Sequence, residues 1–292
     1  VADVDEVVDI ADPYDGYNRC LPASPFLPVV LAECGVSAMT HGVDAVGPKF
    51  GVTHRHVLAA AGIDVDLAPA DGAARLSDPD IGWTYLDQRA FAPKLHDLVP
   101  LRGTIVKRQV ITTVEVMARP IHGRKKTHLV TGYVHKPYPP RYLRLARQAG
   151  YHSAMIVRGV EGGTIPSLTQ PSKYFRCEAA GGDEEVRLDP VEFGIEQEVR
   201  IAPLPADADQ REPEGQPFAS INTDAVAGEA VRLGLEALRG EPGPVRDSLV
   251  FGACVCLLHL GRAPDSADAA ARVRRVLDDG SALARFEAGR NA

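Results

Sequence analysis

Through its first half the chain alternates short apolar runs of strand length with longer runs of helical spacing, joined by glycine-rich loops. "EVVDIA" (6–11), "VSAMTHG" (36–42), "THLVTGYVH" (127–135) and "HSAMIVRG" (152–159) read as strands. Between them, 24–34 reads as a helix with Ser24 as N-cap, Pro25 at its first position and Gly35 just past its end. "VTHRHVLAAAGI" (52–63) reads as a helix stopped by Gly62, and "PRYLRLARQAG" (140–150) as one closed by Gly150. Strands separated by helices cannot pair as tight hairpins and must run parallel through crossovers. The pattern therefore predicts an α/β fold with a mainly parallel central sheet flanked by helices. In such sheets ligands sit beyond the carboxyl ends of the strands.

The pattern changes from 176 to 222, where acid, Gly and Pro predict a surface connection or a partly mobile insertion. Helical spacing resumes at "TDAVAGEAVRLGLEALRG" and continues to the end of the chain, so the last third reads as mostly helical, within one domain over 1–292. The longest nearly uncharged stretch, 249–261, is too short for the ~20 residues of a membrane span. Five cysteines without a CxxC spacing predict neither a disulfide framework nor a zinc site, and point to a soluble protein of a reducing, intracellular compartment. A start at Val1 with no basic flank or apolar signal core predicts a processed or truncated terminus.

Charge is unevenly spread. From Lys94 to Arg158 there are 13 Lys or Arg against Asp97 and Glu115, a net +11 in a chain of net −7, so the remainder carries −18. "HGRKKTH" (122–128) lies in this block. It is either an Arg-rich solvated surface or a face that attracts phosphate, pyrophosphate or nucleic acid.

Three glycine-rich loops follow predicted strands. The first, "DPYDGYNR" (12–19), is either an ordinary strand-to-helix corner or an anion cradle. Asp15 belongs to it, Gly16 would allow close backbone approach, Asn18 and Arg19 would donate, and the helix opening at Ser24 would add a favourable dipole. The second loop (39–56) carries His41, Gly42, Lys49, His54 and His56; the spacing of His54 and His56 does not put them on one helical face, so no metal site is assigned. The third, "RGVEGGTIPS" (158–167), contributes Glu161. All three could converge at one sheet edge.

In this order the motifs resemble the α/β domain of the anthranilate phosphoribosyltransferase-like glycosyltransferases, over nearly the whole chain. "DPYDGYNRCLPAS" is similar to that family's phosphate loop and Asn-Ile-Ser-Thr segment, with Asn18 at the Asn position; "THGV" is similar to its Lys-His-Gly-Asn motif at His41 and Gly42; "GVTHRHVLAAAG" resembles its next helix start. Residues 91–121 resemble its run of His, Arg and Pro through His96, Arg102, Arg108 and Pro120. The style of the first loop resembles a divergent branch with members associated with nucleic acid. "HLVTGYVHKPYPP" and "VRGVEGGTIPSL" resemble a version from photosynthetic organisms, which would place the protein in a plastid stroma or cyanobacterial cytoplasm.

The resemblance implies a partner such as phosphoribosyl pyrophosphate, gripped at its phosphate by Asn18 and Arg19, with His41 at the acceptor or ribose and Arg102 or Arg108 at an anionic acceptor. A catalytic version would displace pyrophosphate at the ribose anomeric carbon. The family's Mg²⁺-holding Asp-Glu pair is replaced by Thr164 and Ile165, leaving Glu161 nearby, so anthranilate chemistry is not expected; Mg²⁺ stays open as a cofactor without its usual pair, and no other is assigned. The family's small N-terminal helical domain, which implies a homodimer, is largely absent before Val1. The alternatives are a noncatalytic nucleic-acid-binding protein on the same fold and a structural subunit of an assembly.

Overall fold

The computed structural model describes residues 1–105, 109–208 and 221–292. In chain order its elements are β1 (Glu6–Ala11), α1 (Leu27–Glu33), β2 (Ala38–Gly42), α2 (His54–Ala60), α3 (Pro69–Ser77) and β3 (Trp83–Asp87). Four short helical pieces follow, α4 (Gln88–Phe91), α5 (Pro93–His96), α6 (Val99–Gly103) and α7 (Ile111–Val114). Then come β4 (Lys126–Gly132), α8 (Pro139–Gln148), β5 (Ser153–Val157), β6 (Ser172–Glu178) and β7 (Asp183–Leu188). The chain closes with α9 (Thr223–Leu238), α10 (Pro244–His259), α11 (Ser266–Asp278) and α12 (Ser281–Asn291).

The strands form one sheet in the order β3-β2-β1-β4-β5-β6-β7. The first five are parallel, as alternation with helices requires; β6 runs antiparallel to β5, and β7 antiparallel to β6. β1 is the pivot. The chain builds outward from it through β2 to β3, then returns to lay β4 along its other edge, with Val8 opposite both Ala38 and His128. That reversal leaves a crevice beyond the carboxyl ends of β1 and β4, where open α/β sheets bind ligands.

Both faces of the sheet are covered, and each strand divides its side chains between them with period two. Val8 and Ile10 join the larger core with α1 and the C-terminal helices, where Trp83 stacks on Phe286 at 5.6 Å. Val7 and Ala11 face the other side, in smaller clusters with Met39 and with Leu129 and Ile156 respectively. Among the described residues no helix is long and apolar enough to cross a membrane.

Two expectations change. The helix at 24–34 opens as a 3₁₀ turn over Ser24–Phe26 before α1, and Ser24 is not its cap. Pro25 and Pro28 have no N–H to offer, the Phe26 N–H goes to the Ala23 carbonyl at 3.1 Å, and the Ser24 hydroxyl turns to Asp12 instead. The connection expected from 176 onward begins as the edge hairpin β6–β7. Its acidic residues are one side of a set of cross-strand ion pairs, Arg176 with Glu184 at 2.7 Å and Lys173 with Glu185 at 2.8 Å. Charged pairs of this kind also discourage a further strand from adding to the edge.

Near the amino ends of β4 and β5, the Ser153 hydroxyl lies between two buried imidazoles, 2.7 Å from His128 Nδ1 and 2.8 Å from His259 Nε2. It can donate to one neutral ring and accept from the other. Burial holds His128 down to about 4 and His259 down to about 3. Between those values and the unfolded value of 6.5 the unfolded chain binds more protons, so stability is full above pH 6.5 and falls as pH drops toward 4. At pH 5 the loss should be about 2 kcal/mol for each histidine. Urea unfolding at pH 7.5 and pH 5 checks this; His259→Gln should flatten the dependence, and an unchanged slope would contradict it.

Candidate functional site

The first residue after β1 sets the geometry. Asp12 is buried, and its carboxylate is surrounded by donors from separate parts of the chain. Oδ2 accepts from Tyr17 at 2.5 Å and from the Ser24 hydroxyl, and lies 2.9 Å from His54 Nε2; Oδ1 accepts from the Thr164 backbone N–H at 2.9 Å. His54 is itself fixed from behind by Thr40, whose hydroxyl lies 2.5 Å from Nδ1. Burial alone would raise the Asp12 pKa; the contacts from His54, Ser24 and Tyr17 outweigh it and bring the carboxyl down to about 2. One side chain thus joins the first loop, the start of the helical segment, α2 and the third loop.

Backbone contacts complete the convergence. Tyr17 and Val52 exchange a pair of 2.8 Å hydrogen bonds, and Gly51 N–H donates to the Asp15 carbonyl at 2.9 Å. Gly16, at φ +72°, makes this approach possible, because a Cβ there would lie 2.5 Å from the Val52 oxygen. On the other side a Cβ on Gly132 would lie 2.1 Å from the carbonyls of Gly162 and Gly163, so only glycine lets the third loop close over the end of β4.

Between these loops lies a cavity of about 540 Å³ at the β1/β4 crevice. Of the residues singled out in the sequence, Asp15, Asn18, Arg19, Lys49 and Glu161 line it. Glu161 reaches across to the first loop: its Oε1 accepts from Asn18 N–H at 3.0 Å and Lys49 Nζ at 3.2 Å, and its Oε2 accepts from Arg19 N–H at 3.1 Å. The opposite wall is aromatic, with Tyr133, His135, Tyr138 and Tyr142. The sequence reading missed this wall, although the run from Tyr133 to Tyr142 follows directly from the carboxyl end of β4, where ligands bind.

Other expected site residues lie elsewhere. Ser24 and His54 support Asp12 from within, and Gly42 ends β2. His41 is buried and does not line the cavity. Its Nδ1 lies within hydrogen-bond reach of the hydroxyl of Tyr14, whose phenol burial keeps neutral, and its Nε2 lies 2.9 Å from Asp9 Oδ1. Tyr151 donates to the other Asp9 oxygen at 2.5 Å, so His41 positions the Tyr14 ring that does line the cavity. Arg102 is fully buried and bidentate to Glu115, at 2.7 and 2.8 Å, which commits both of its terminal nitrogens. Burial raises the Glu115 carboxyl, with Arg102 opposing the shift. Arg108 lies outside the described residues.

The basic run at 122–128 leads into β4 at its amino end, at the end of the sheet opposite the cavity. Arg124 pairs with Asp3 and Asp5, Lys125 with Asp5 and Lys126 with Glu6, so the acidic chain start answers its charge. Among the described residues no group of three or more His, Cys, Asp or Glu is arranged to hold a metal ion. Ile165 is a core side chain, and the Thr164 hydroxyl is buried with no hydrogen-bond partner among the described residues. Neither position fits Mg²⁺, which takes carboxylate and water oxygens.

Residues 18–283 match the model of the glycosyl transferase family, a/b domain, and the chain belongs to that family. A protein of Aquifex aeolicus with no assigned function is 28% identical over 192 residues, covering 66% of this chain and 55% of that protein, so the match spans little more than half of that relative. The anthranilate phosphoribosyltransferase of Novosphingobium aromaticivorans is 26% identical over 270 residues, covering 92% of this chain and 73% of that enzyme. Among solved structures, the anthranilate phosphoribosyltransferase of Thermus thermophilus superimposes with a TM-score of 0.71 at 23% identity, covering 98% of this chain and 78% of that one. The Saccharomyces cerevisiae enzyme, solved in complex with PRPP (phosphoribosyl pyrophosphate) and Mg, gives 0.70 at 17% identity, covering 98% and 74%. These structures share the fold.

Asp12→Asn should test the hub. An amide oxygen cannot replace a charged acceptor for three side-chain donors, so unfolding free energy should fall by about 3 to 5 kcal/mol, the range for breaking a buried charge pair. Urea denaturation measures it, and a loss below about 1 kcal/mol would contradict the role given to Asp12.

Proposed function

We propose that the cavity binds a phosphorylated sugar of the phosphoribosyl pyrophosphate class. The observation that carries this reading is the convergence of two backbone amides and a lysine ammonium on one anionic group, that of Glu161, at the crevice where the strand order reverses. The Asn18 and Arg19 amides, Lys49 and the exposed Arg19 guanidinium would hold a phosphate end. Tyr133, Tyr138 and Tyr142 would pack against the less polar end. The binding of PRPP by the yeast enzyme of the same fold supports the choice of ligand.

The chemistry of transfer is a separate matter. A departing pyrophosphate develops charge that a metal or fixed cations must neutralise. Thr164 and Ile165 offer a metal no carboxylate, so turnover of anthranilate is not part of the reading, and any transfer would rely on Lys49 and Arg19 as fixed cations.

Calorimetric titration with phosphoribosyl pyrophosphate tests the placement. Arg19→Ala should weaken binding by about 1.5 kcal/mol, roughly tenfold, the lower end for a hydrogen bond to a charged group at an exposed site. Equal affinity of the folded variant and the wild type would move the phosphate away from this loop.

A further inference from the structure

Glu161 makes an unusual pair of commitments. Its carboxylate spans two successive amides, with Asn18 N–H on one oxygen and Arg19 N–H on the other, and the Cys20 thiol 3.5 Å from the second. Lys49 Nζ closes the set at 3.2 Å, with the Tyr17 ring centroid 5.7 Å away and Asp15 Oδ1 3.8 Å away. The Glu161 side chain is only 8% exposed. Its backbone meanwhile sits at φ 56°, ψ 14°, left-handed for a residue that is not glycine. Such a conformation is strained and persists only where surrounding contacts enforce it.

Those contacts divide into two kinds. The loop backbone is pinned independently of the carboxylate, by the fit of Gly162 and Gly163 over Gly132 and by the Thr164 N–H on Asp12. Among the described residues the Glu161 side chain, by contrast, is held through groups that an anionic ligand would also seek. It can therefore rotate away while the loop stays in place.

We infer that Glu161 is an internal counter-ligand, a carboxylate that occupies the phosphate subsite of Asn18 N–H, Arg19 N–H and Lys49 and that a phosphorylated ligand must displace. This rests on the binding role proposed above and adds a selection rule. A monoanionic carboxylate offers the subsite nothing that Glu161 does not already supply. A phosphate brings a charge of about −1.5 to −2 and three strong acceptor oxygens, and so displaces it. The plug makes the site discriminate phosphate and pyrophosphate groups from carboxylic acids. Its cost is a reduction in affinity by the fraction of time the subsite stands open, and a plug closed about nine-tenths of the time weakens binding about tenfold.

Glu161→Asp isolates the effect, because it keeps the charge but stops one methylene short of the amides; Glu161→Gln removes the charge. The measurements are calorimetric affinity for pyrophosphate and for phosphoribosyl pyrophosphate, with hydrogen exchange of the Asn18 and Arg19 amides followed by NMR in proteins of matching circular dichroism. We expect both amides to lose protection in Glu161→Asp and pyrophosphate to bind about tenfold more tightly to it than to the wild type. A gain in Glu161→Gln alone would reduce Glu161 to a general repulsive charge and overturn the inference. Unchanged protection in Glu161→Asp would overturn it as well. If the wild type binds phosphoribosyl pyrophosphate and neither variant binds it or pyrophosphate more tightly, the counter-ligand fails while the binding role stands. If the amides open and no form of the protein binds either ligand, both fail.

Discussion

A buried carboxylate at the end of β1 governs how this molecule is arranged around its crevice. Taking a charge such as that of Asp12 out of water costs several kcal/mol, and only close donors offset it. Those donors come from Tyr17 and Ser24 in the segment that follows it, and from His54 and the Thr164 backbone, which lie far along the chain. The chain can satisfy Asp12 only by bringing its three loops to one place. The bridge between Tyr17 and Val52 and the closure over Gly132 follow from the same convergence.

The site uses its carboxylates in two ways. Asp12 accepts inward, from groups with no access to solvent, and is structural. Glu161 accepts from groups that line the cavity, the Asn18 and Arg19 amides and Lys49, which the proposed function assigns to a phosphate. The same loop supplies Thr164 to hold Asp12 and Ile165 to fill the core. Thr164 and Ile165 thus face inward, and Glu161, three residues before Thr164, is the carboxylate this loop presents to the cavity.

Much of the frame was legible in the residues. The parallel strands and the helices between them follow from apolar period, and Gly35, Gly62 and Gly150 each adopt a positive φ just past the helix they were expected to end. The β6–β7 hairpin was not legible because its acids are compensated only by residues across the ladder, a pairing that composition along the chain cannot show. The same blindness affected the site. Asp15, Asn18, Arg19, Lys49 and Glu161 come together at the cavity, but His41 and Arg102 carry the right chemistry into buried pairs with Asp9 and Glu115. Asp12 went unnoticed because an aspartate in a turn normally faces water, and only the folded chain reveals what surrounds it.

The decisive quantity is the ionisation of Asp12 itself. A carbon-13 NMR titration of its side-chain carboxyl in the folded protein should give an apparent pKa near 2, well below the ordinary 3.8, with the carboxylate charged throughout the range in which the fold is stable. A value at or above 3.8 would mean that its neighbours do not compensate its burial, and would contradict the arrangement of the loops around it.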